Sequence, residues 1–319
     1  MLRNSLGFKS VMLTIFALPK PFEGHIDIIQ RNAIGTWSRL HPKCQILLFG
    51  DEDGTAGVAR EFGARHVRKI GKNEFGTPLL NDLFEKAAEL ANFDLMCYVN
   101  SDILLFNDFT VAIDRIHQWR KDFLMVGKCS NLDFGKSLTF DSDNWEEELR
   151  HLVRREGEDR GAWGIDYFVF PMGLYKQIPT FALGRAYFDN WLIWKAIAQK
   201  APVVDATRSV MAIHQNHDYS HVSGGRDWAY RGTEVIRNTN LGGGISRRYC
   251  ILDATHYLGS SGLKRNFKNK LKWEMVKIWK KRLWYLMLDS TRPIRHSLGL
   301  RLSILKACKS IFSRRKADL

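Results

Sequence analysis

Residues 10–18 (Ser-Val-Met-Leu-Thr-Ile-Phe-Ala-Leu), 45–50 (Gln-Ile-Leu-Leu-Phe-Gly) and 93–99 (Phe-Asp-Leu-Met-Cys-Tyr-Val) are nearly unbroken apolar runs of strand length. They lack the polar alternation of a strand with one wet face, so each must be covered on both faces. Between them, residues 26–37, 57–62 and 77–91 read as helices, the last entered through Pro78, and 64–70 as a further strand. Further on, the spacing predicts a helix over 108–119, strands at 123–127 and 165–171, a helix over 188–199 and a strand at 209–213. The acidic stretch 133–160 carries no clear strand signal. Buried strands alternating with helices predict an α/β protein with a mostly parallel sheet flanked by helices. A chain of 319 residues, 45% hydrophobic, can hold such a core in one large domain or two intimate halves.

The net charge of +14 is concentrated at one end. Residues 1–259 carry 31 basic and 31 acidic side chains, whereas 260–319 carry 17 and 3. The excess therefore characterises a tail and says little about a site in the body. The breaks Leu241-Gly-Gly-Gly-Ile245 and Gly259-Ser-Ser-Gly262 loosen the chain before this tail. We read residues 1–107 and 108–259 as the two halves of the body and 260–319 as a basic, amphipathic, helical C-terminal tail. Within the tail, Leu300, Ile304, Ala307, Cys308 and Ile311 recur on one helical face, and Trp273, Trp279 and Trp284 are mixed with Lys and Arg. Such a segment suits an anionic membrane surface, with packing on the body as the other reading and nucleic acid disfavoured. Five scattered cysteines with no Cys-x-x-Cys pair argue against a disulfide framework or a zinc site and fit a reducing cytoplasm. No apolar window is long enough to span a bilayer, and the run at 11–18 reads as a buried strand rather than a targeting segment. The expectation is a cytoplasmic protein, peripheral on the inner face of a membrane.

In an open parallel sheet, ligands sit outside the carboxyl ends of the strands. Three apolar runs end in suitable residues: Asp51 and Glu52, then Asn100-Ser101-Asp102, then His214 followed by His217. Asp102 interrupts a mostly apolar stretch, where an unpaired charge would cost several kcal/mol. It is either a turn aspartate satisfied by backbone amides or a ligand for a divalent cation that in turn holds a diphosphate.

The string Phe93-Asp-Leu-Met-Cys-Tyr-Val-Asn-Ser-Asp-Ile-Leu-Leu-Phe106 resembles the strand and Asp-x-Asp motif of nucleotide-sugar glycosyltransferases of the GT-A fold, with Asn100 in place of the first aspartate. Gly184-Arg-Ala-Tyr-Phe-Asp189-Asn-Trp-Leu-Ile-Trp-Lys195 is similar to the Glu-Asp segment of family 2-like members, with Phe188 at the glutamate position. Ala212-Ile-His214 resembles the histidine that closes the metal site in that fold. The likeness spans roughly residues 10–220 and rests on order and spacing.

The resemblance implies a GT-A-like sheet and a metal-dependent transfer of sugar from a nucleotide-sugar donor to a glycan or lipid-linked acceptor. Asp102 and His214, with His217 as the neighbouring candidate, would hold Mn2+ or Mg2+, which stabilises charge growing on the leaving diphosphate. Asn100 and Ser101 would contact the donor, as would the acidic pair Asp51 and Glu52. Thr14 to Ala17 would line the nucleotide pocket through the backbone, with Asn81 on the same rim. Asp189 at a helix start would take the acceptor proton, which implies inversion; Asp166, which interrupts another strand, is its rival.

Other functions fit less well. Gly242-Gly-Gly244 lacks the lysine of a phosphate loop, no Gly-x-Gly-x-x-Gly follows a strand, and no Gly-x-Ser-x-Gly elbow occurs. A sugar-phosphate nucleotidyltransferase would need a glycine-rich turn after the first strand. A non-catalytic basic module for membranes or nucleic acid is the alternative from another class.

Overall fold

The computed structural model describes residues 11–142, 144–217 and 229–267. The nine strands of the main sheet are β1 (Leu13–Ala17), β2 (Gln45–Phe49), β3 (Arg65–Val67), β4 (Leu95–Val99), β6 (Leu124–Val126), β9 (Tyr167–Pro171), β10 (Val203–Asp205), β12 (His256–Gly259) and β13 (Gly262–Arg265). Their order is β13-β12-β10-β6-β9-β4-β1-β2-β3. Most pairs are parallel; β9 runs antiparallel to both neighbours, and β13 to β12. The four strands preceding residue 107 lie together on one side of the β4/β9 junction, and the five later ones on the other.

Both faces of this sheet are covered, which explains its uniformly apolar strands. Leu13, Ile15 and Ala17 of β1, Leu95, Cys97 and Val99 of β4, and Tyr167 and Val169 of β9 enter one core. The alternate residues Phe16, Met96, Tyr98, Phe168 and Phe170 enter a second core on the opposite face. The first core is closed by α1 (Gly24–Trp37), α2 (Thr55–Glu61), α4 (Asn107–Trp119) and α5 (Trp145–Glu156), and the second by α3 (Leu80–Leu90) and α6 (Phe188–Ala198). A seventh helix among the described residues, α7 (Thr233–Leu241), packs through the buried Asn238, which hydrogen-bonds with the backbone of Ala182.

A second, four-stranded sheet has the order β5-β11-β7-β8, from β5 (Ile103–Leu104), β11 (Ile213–Gln215), β7 (Ser130–Leu132) and β8 (Glu158–Asp159). It is anchored to α1, where the Trp37 indole donates to the Ile103 carbonyl at 2.8 Å and the Leu105 amide donates to the Thr36 hydroxyl at 3.2 Å.

The structure departs from the sequence reading in four places. The strand expected at 209–213 is a turn and irregular chain up to Ala212, and only Ile213 opens β11. Within the stretch 133–160, α5 forms on Leu149 and Val153 alone, one helical turn apart. Gly259 and Gly262, read as the break before the tail, close the β12–β13 hairpin, so the sheet continues to Arg265. Within the triple glycine at 242–244, Gly242 is tightly packed: a Cβ there would lie 2.1 Å from the Tyr187 ring. The basic segment from residue 268 onward, with its amphipathic face, lies outside the described residues. No described helix is long and apolar enough to cross a membrane, and no disulfide links the described cysteines.

Candidate functional site

The carboxyl end of β4 turns through Asn100 and Ser101 into Asp102, which leads straight into β5. Antiparallel pairing of β5 with β11 sets His214 in register with Ile103, next to Asp102. Gln215, fully buried, locks this junction: its backbone amide and its side-chain amide both donate to the Asp102 carbonyl, at 3.2 and 3.1 Å. Its side chain also donates to the Ile29 carbonyl and accepts from Asn32. Asn216 donates through its backbone to Leu132 and through its side chain to Asp133, and so holds the segment carrying His217.

Three donor groups therefore converge. His217 Nε2 lies 3.1 Å and His214 Nε2 3.9 Å from Asp102 Oδ2, and one ligand atom from each residue falls within 4.8 Å of the others. Asp102 Oδ1 and His214 Nδ1 are buried and have no hydrogen-bond partner. Burial opposes ionisation of Asp102, but His214, the hydrogen bond with His217 and the charge of Lys20 outweigh it and hold the carboxyl well below the carboxylate range. Burial lowers the His214 pKa against the pull of Asp102, which favours the neutral imidazole a metal needs. One carboxylate and two imidazoles with an orphaned buried oxygen fit a divalent cation.

The remaining polar residues form a chain away from these ligands. The Tyr98 hydroxyl donates to Asn100 Oδ1 at 3.1 Å, and Asn100 Nδ2 donates to Asp166 Oδ1 at 2.9 Å. The other Asp166 oxygen pairs with Arg160 at 2.9 Å, and Arg160 also reaches Asn131. Asp166 is thus tied to Asn100 by a hydrogen bond and to Arg160 by an ion pair, while its Oδ2 is buried without a hydrogen bond. Asp189 differs. It lies in the first turn of α6, behind Phe188, whose ring is 6.2 Å from that of Tyr98. Its Oδ1 is buried with no hydrogen-bond partner. Burial pushes its carboxyl up to about 6, aided by Asp166 and opposed by the Asn190 amide and Arg248. Burial first, and then the charges of Asp102, Asp166 and Asp189, push the Tyr98 hydroxyl well above the usual phenol range.

Tyr187, immediately before α6, has φ +105°, a strained conformation for a residue with a side chain. It is held by a hydrogen bond of 2.6 Å from its hydroxyl to the Gly244 carbonyl and by the close approach of Gly242. Arg248 donates to Asn190 at 2.8 Å and stacks over Trp163, a 44% exposed ring beside this helix start.

Other expected residues sit elsewhere. Thr14 is at the opening of β1 with its hydroxyl donated to Gln45 at 2.8 Å, whereas Ala17 is buried at the carboxyl end of that strand. Asp51, exposed, pairs with Arg68 at 2.6 Å, and Glu52 lies 3.8 Å from Lys72. Asn81 is in the first turn of α3 with its Oδ1 buried and unbonded, and Ser101 has a buried hydroxyl in the same condition. A separate cavity of about 410 Å3 opens where β6 and β10 end. Its Lys128 and Arg150 are matched by Asp159 and Asp108.

Sequence reasoning missed Lys20, Arg160 and Gln215. Lys20 follows β1 between two prolines, and its Nζ lies 3.2 Å from His217 Nε2.

No protein-family model and no curated protein matches the chain. Among solved structures, it is similar to S. aureus TarS 1-349 in complex with UDP-GlcNAc, at 10% identity and a TM-score of 0.45 over 66% of this chain and 60% of that one. It is similar also to glucosyl-3-phosphoglycerate synthase from Mycobacterium tuberculosis in complex with Mg2+ and uridine-diphosphate, at 14% identity and a TM-score of 0.42 over 75% of this chain and 79% of that one. The chain thus spans about three fifths of the TarS 1-349 chain it resembles.

Proposed function

We propose that this protein is a nucleotide-sugar glycosyltransferase that depends on a divalent cation, Mn2+ or Mg2+. The observation that carries the reading is the convergence of Asp102, His214 and His217, whose ligand atoms all lie within 4.8 Å of one another. Asp102, His214 and His217 hold the cation, which when bound supplies the positive charge that lets a nucleoside diphosphate depart. Asn100, fixed by Tyr98 and Asp166, keeps its amide in place for the donor. Asp189 accepts the proton of the attacking acceptor hydroxyl. A carboxyl near pKa 6 is a better base than an ordinary aspartate and is still ionised at neutral pH. Attack assisted by a base across the sugar from the leaving group inverts the anomeric centre.

In this reading the half up to residue 107 binds the donor, with Ala17, Asp51, Glu52 and Ser101 along its strand ends, and the half from 108 to 259 binds a glycan or lipid-linked acceptor. The exposed Trp163 offers a face on which a sugar ring stacks. The excess of 17 basic over 3 acidic residues in 260–319 supports attachment to an anionic membrane surface from the cytoplasmic side.

A thermal-shift series with nucleoside diphosphates, with and without Mn2+, tests the reading. One nucleotide should stabilise the chain in a Mn2+-dependent manner. Asp102→Ala should abolish that dependence, and Asp189→Asn should bind normally but not turn over. Equal shifts for Asp102→Ala and the parent would remove the metal assignment.

A further inference from the structure

We propose that Lys20 is a resident cation of this site: its ammonium balances Asp102 and His217 before metal arrives and moves to the diphosphate once the ligands hold a divalent ion. The inference deepens the glycosyltransferase reading and rests on it. Three features of the structure carry it.

The first is the anchoring of the Lys20 backbone. Its amide donates to Gln30 Oε1 at 2.7 Å and its carbonyl accepts from Gln30 Nε2 at 2.9 Å, with Gln30 only 1% exposed. Pro19 and Pro21 flank it, so the main chain is fixed while the four-carbon stem can swing. The second is the crowding at one ring nitrogen. His217 Nε2 lies 3.2 Å from Lys20 Nζ and 3.1 Å from Asp102 Oδ2. A ring nitrogen carries either a proton or a lone pair, so it cannot donate to the carboxylate and accept from the ammonium at once. With the lone pair, His217 accepts from Lys20 and presents a bare nitrogen to Asp102, a pair of electron-rich atoms that a cation must bridge. With the proton, Lys20 faces an N–H and is drawn to the site by the charge of Asp102. The third is that Lys20 acts electrostatically on Asp102 itself.

A divalent ion among these ligands would meet a like charge within a few ångströms, and the ammonium would be driven outward to where phosphate oxygens arrive. Lys20 thus weakens the binding of metal alone and strengthens the binding of a diphosphate. These opposite effects distinguish it from a merely structural lysine, whose loss would weaken both.

Titration calorimetry on the full chain separates the cases, with two probes: Mn2+ alone, and the uridine, guanosine, cytidine and adenosine diphosphates each titrated into chain saturated with Mn2+. Lys20→Met should bind Mn2+ about tenfold tighter and the preferred diphosphate about tenfold weaker, as expected for loss of one unit charge near the surface. Lys20→Arg, which keeps the charge, should restore diphosphate binding. Unchanged Mn2+ affinity in Lys20→Met, or a weakening of both ligands, overturns the proposal while leaving the glycosyltransferase reading intact if the parent binds both. A parent that binds neither overturns both readings.

Discussion

The buried carboxyl of Asp189 sets stability against function, and replacing it with asparagine should make the protein more stable and inactive. Burial raises this carboxyl from 3.8 to about 6. The corresponding difference between its protonation states is about 3 kcal/mol. The folded chain holds this proton more tightly than the unfolded chain. The stabilisation is therefore complete below about pH 4 and is lost as pH rises through 6. At pH 8 the parent bears the full cost of a buried carboxylate, and Asp189→Asn, similar in shape but uncharged, escapes it. Denaturant unfolding of both proteins should give the variant an advantage of about 2–3 kcal/mol at pH 8 and less than about 1 kcal/mol at pH 4. Contributions from other titrating groups cancel in the comparison. Parent turnover should rise with pH around a midpoint near 6, and the variant should show none. An advantage of equal size at both pH values, or a variant less stable at pH 8, would refute the argument that Asp189 is a desolvated base.

Two further substitutions probe how that carboxyl is held and tuned. Arg248→Met removes the guanidinium that lowers the Asp189 pKa, so the midpoint of the pH–rate profile should move above that of the parent. Gly242→Ala places a methyl 2.1 Å from the Tyr187 ring; it should cost about 1–3 kcal/mol in unfolding experiments and reduce turnover by displacing the start of α6, with Mn2+ affinity unchanged.

Much of the body was legible because its signals are local. Phe16 and Ile15 point to opposite cores, and a strand buried on both faces must be apolar throughout, so the runs at 10–18, 45–50 and 93–99 identify themselves. Asp102 was legible for the same reason, as a charge at the end of such a run. The second sheet was not. β5 and β11 are two and three residues long, and what places His214 beside Asp102 is pairing across more than a hundred residues together with the buried Gln215, none of which leaves a periodic trace. Helix α5 was hidden by composition, since Glu146, Glu147, Glu148, Arg154 and Arg155 surround only two buried residues. Lys20 reads as a loop residue between prolines until the fold brings His217 to it. Asp166 and Asp189 look alike as isolated carboxylates in the sequence; the Arg160 ion pair and Asn100 hydrogen bond of the one and the burial-raised carboxyl of the other tell them apart.

The most direct test is anomalous diffraction at the manganese edge from crystals grown with Mn2+ and the stabilising nucleoside diphosphate. The expected result is one strong peak bonded to Asp102, His214 and His217 and to phosphate oxygens of the nucleotide. A nucleotide bound at the strand ends with no peak at these three residues, or manganese held elsewhere, would contradict the account.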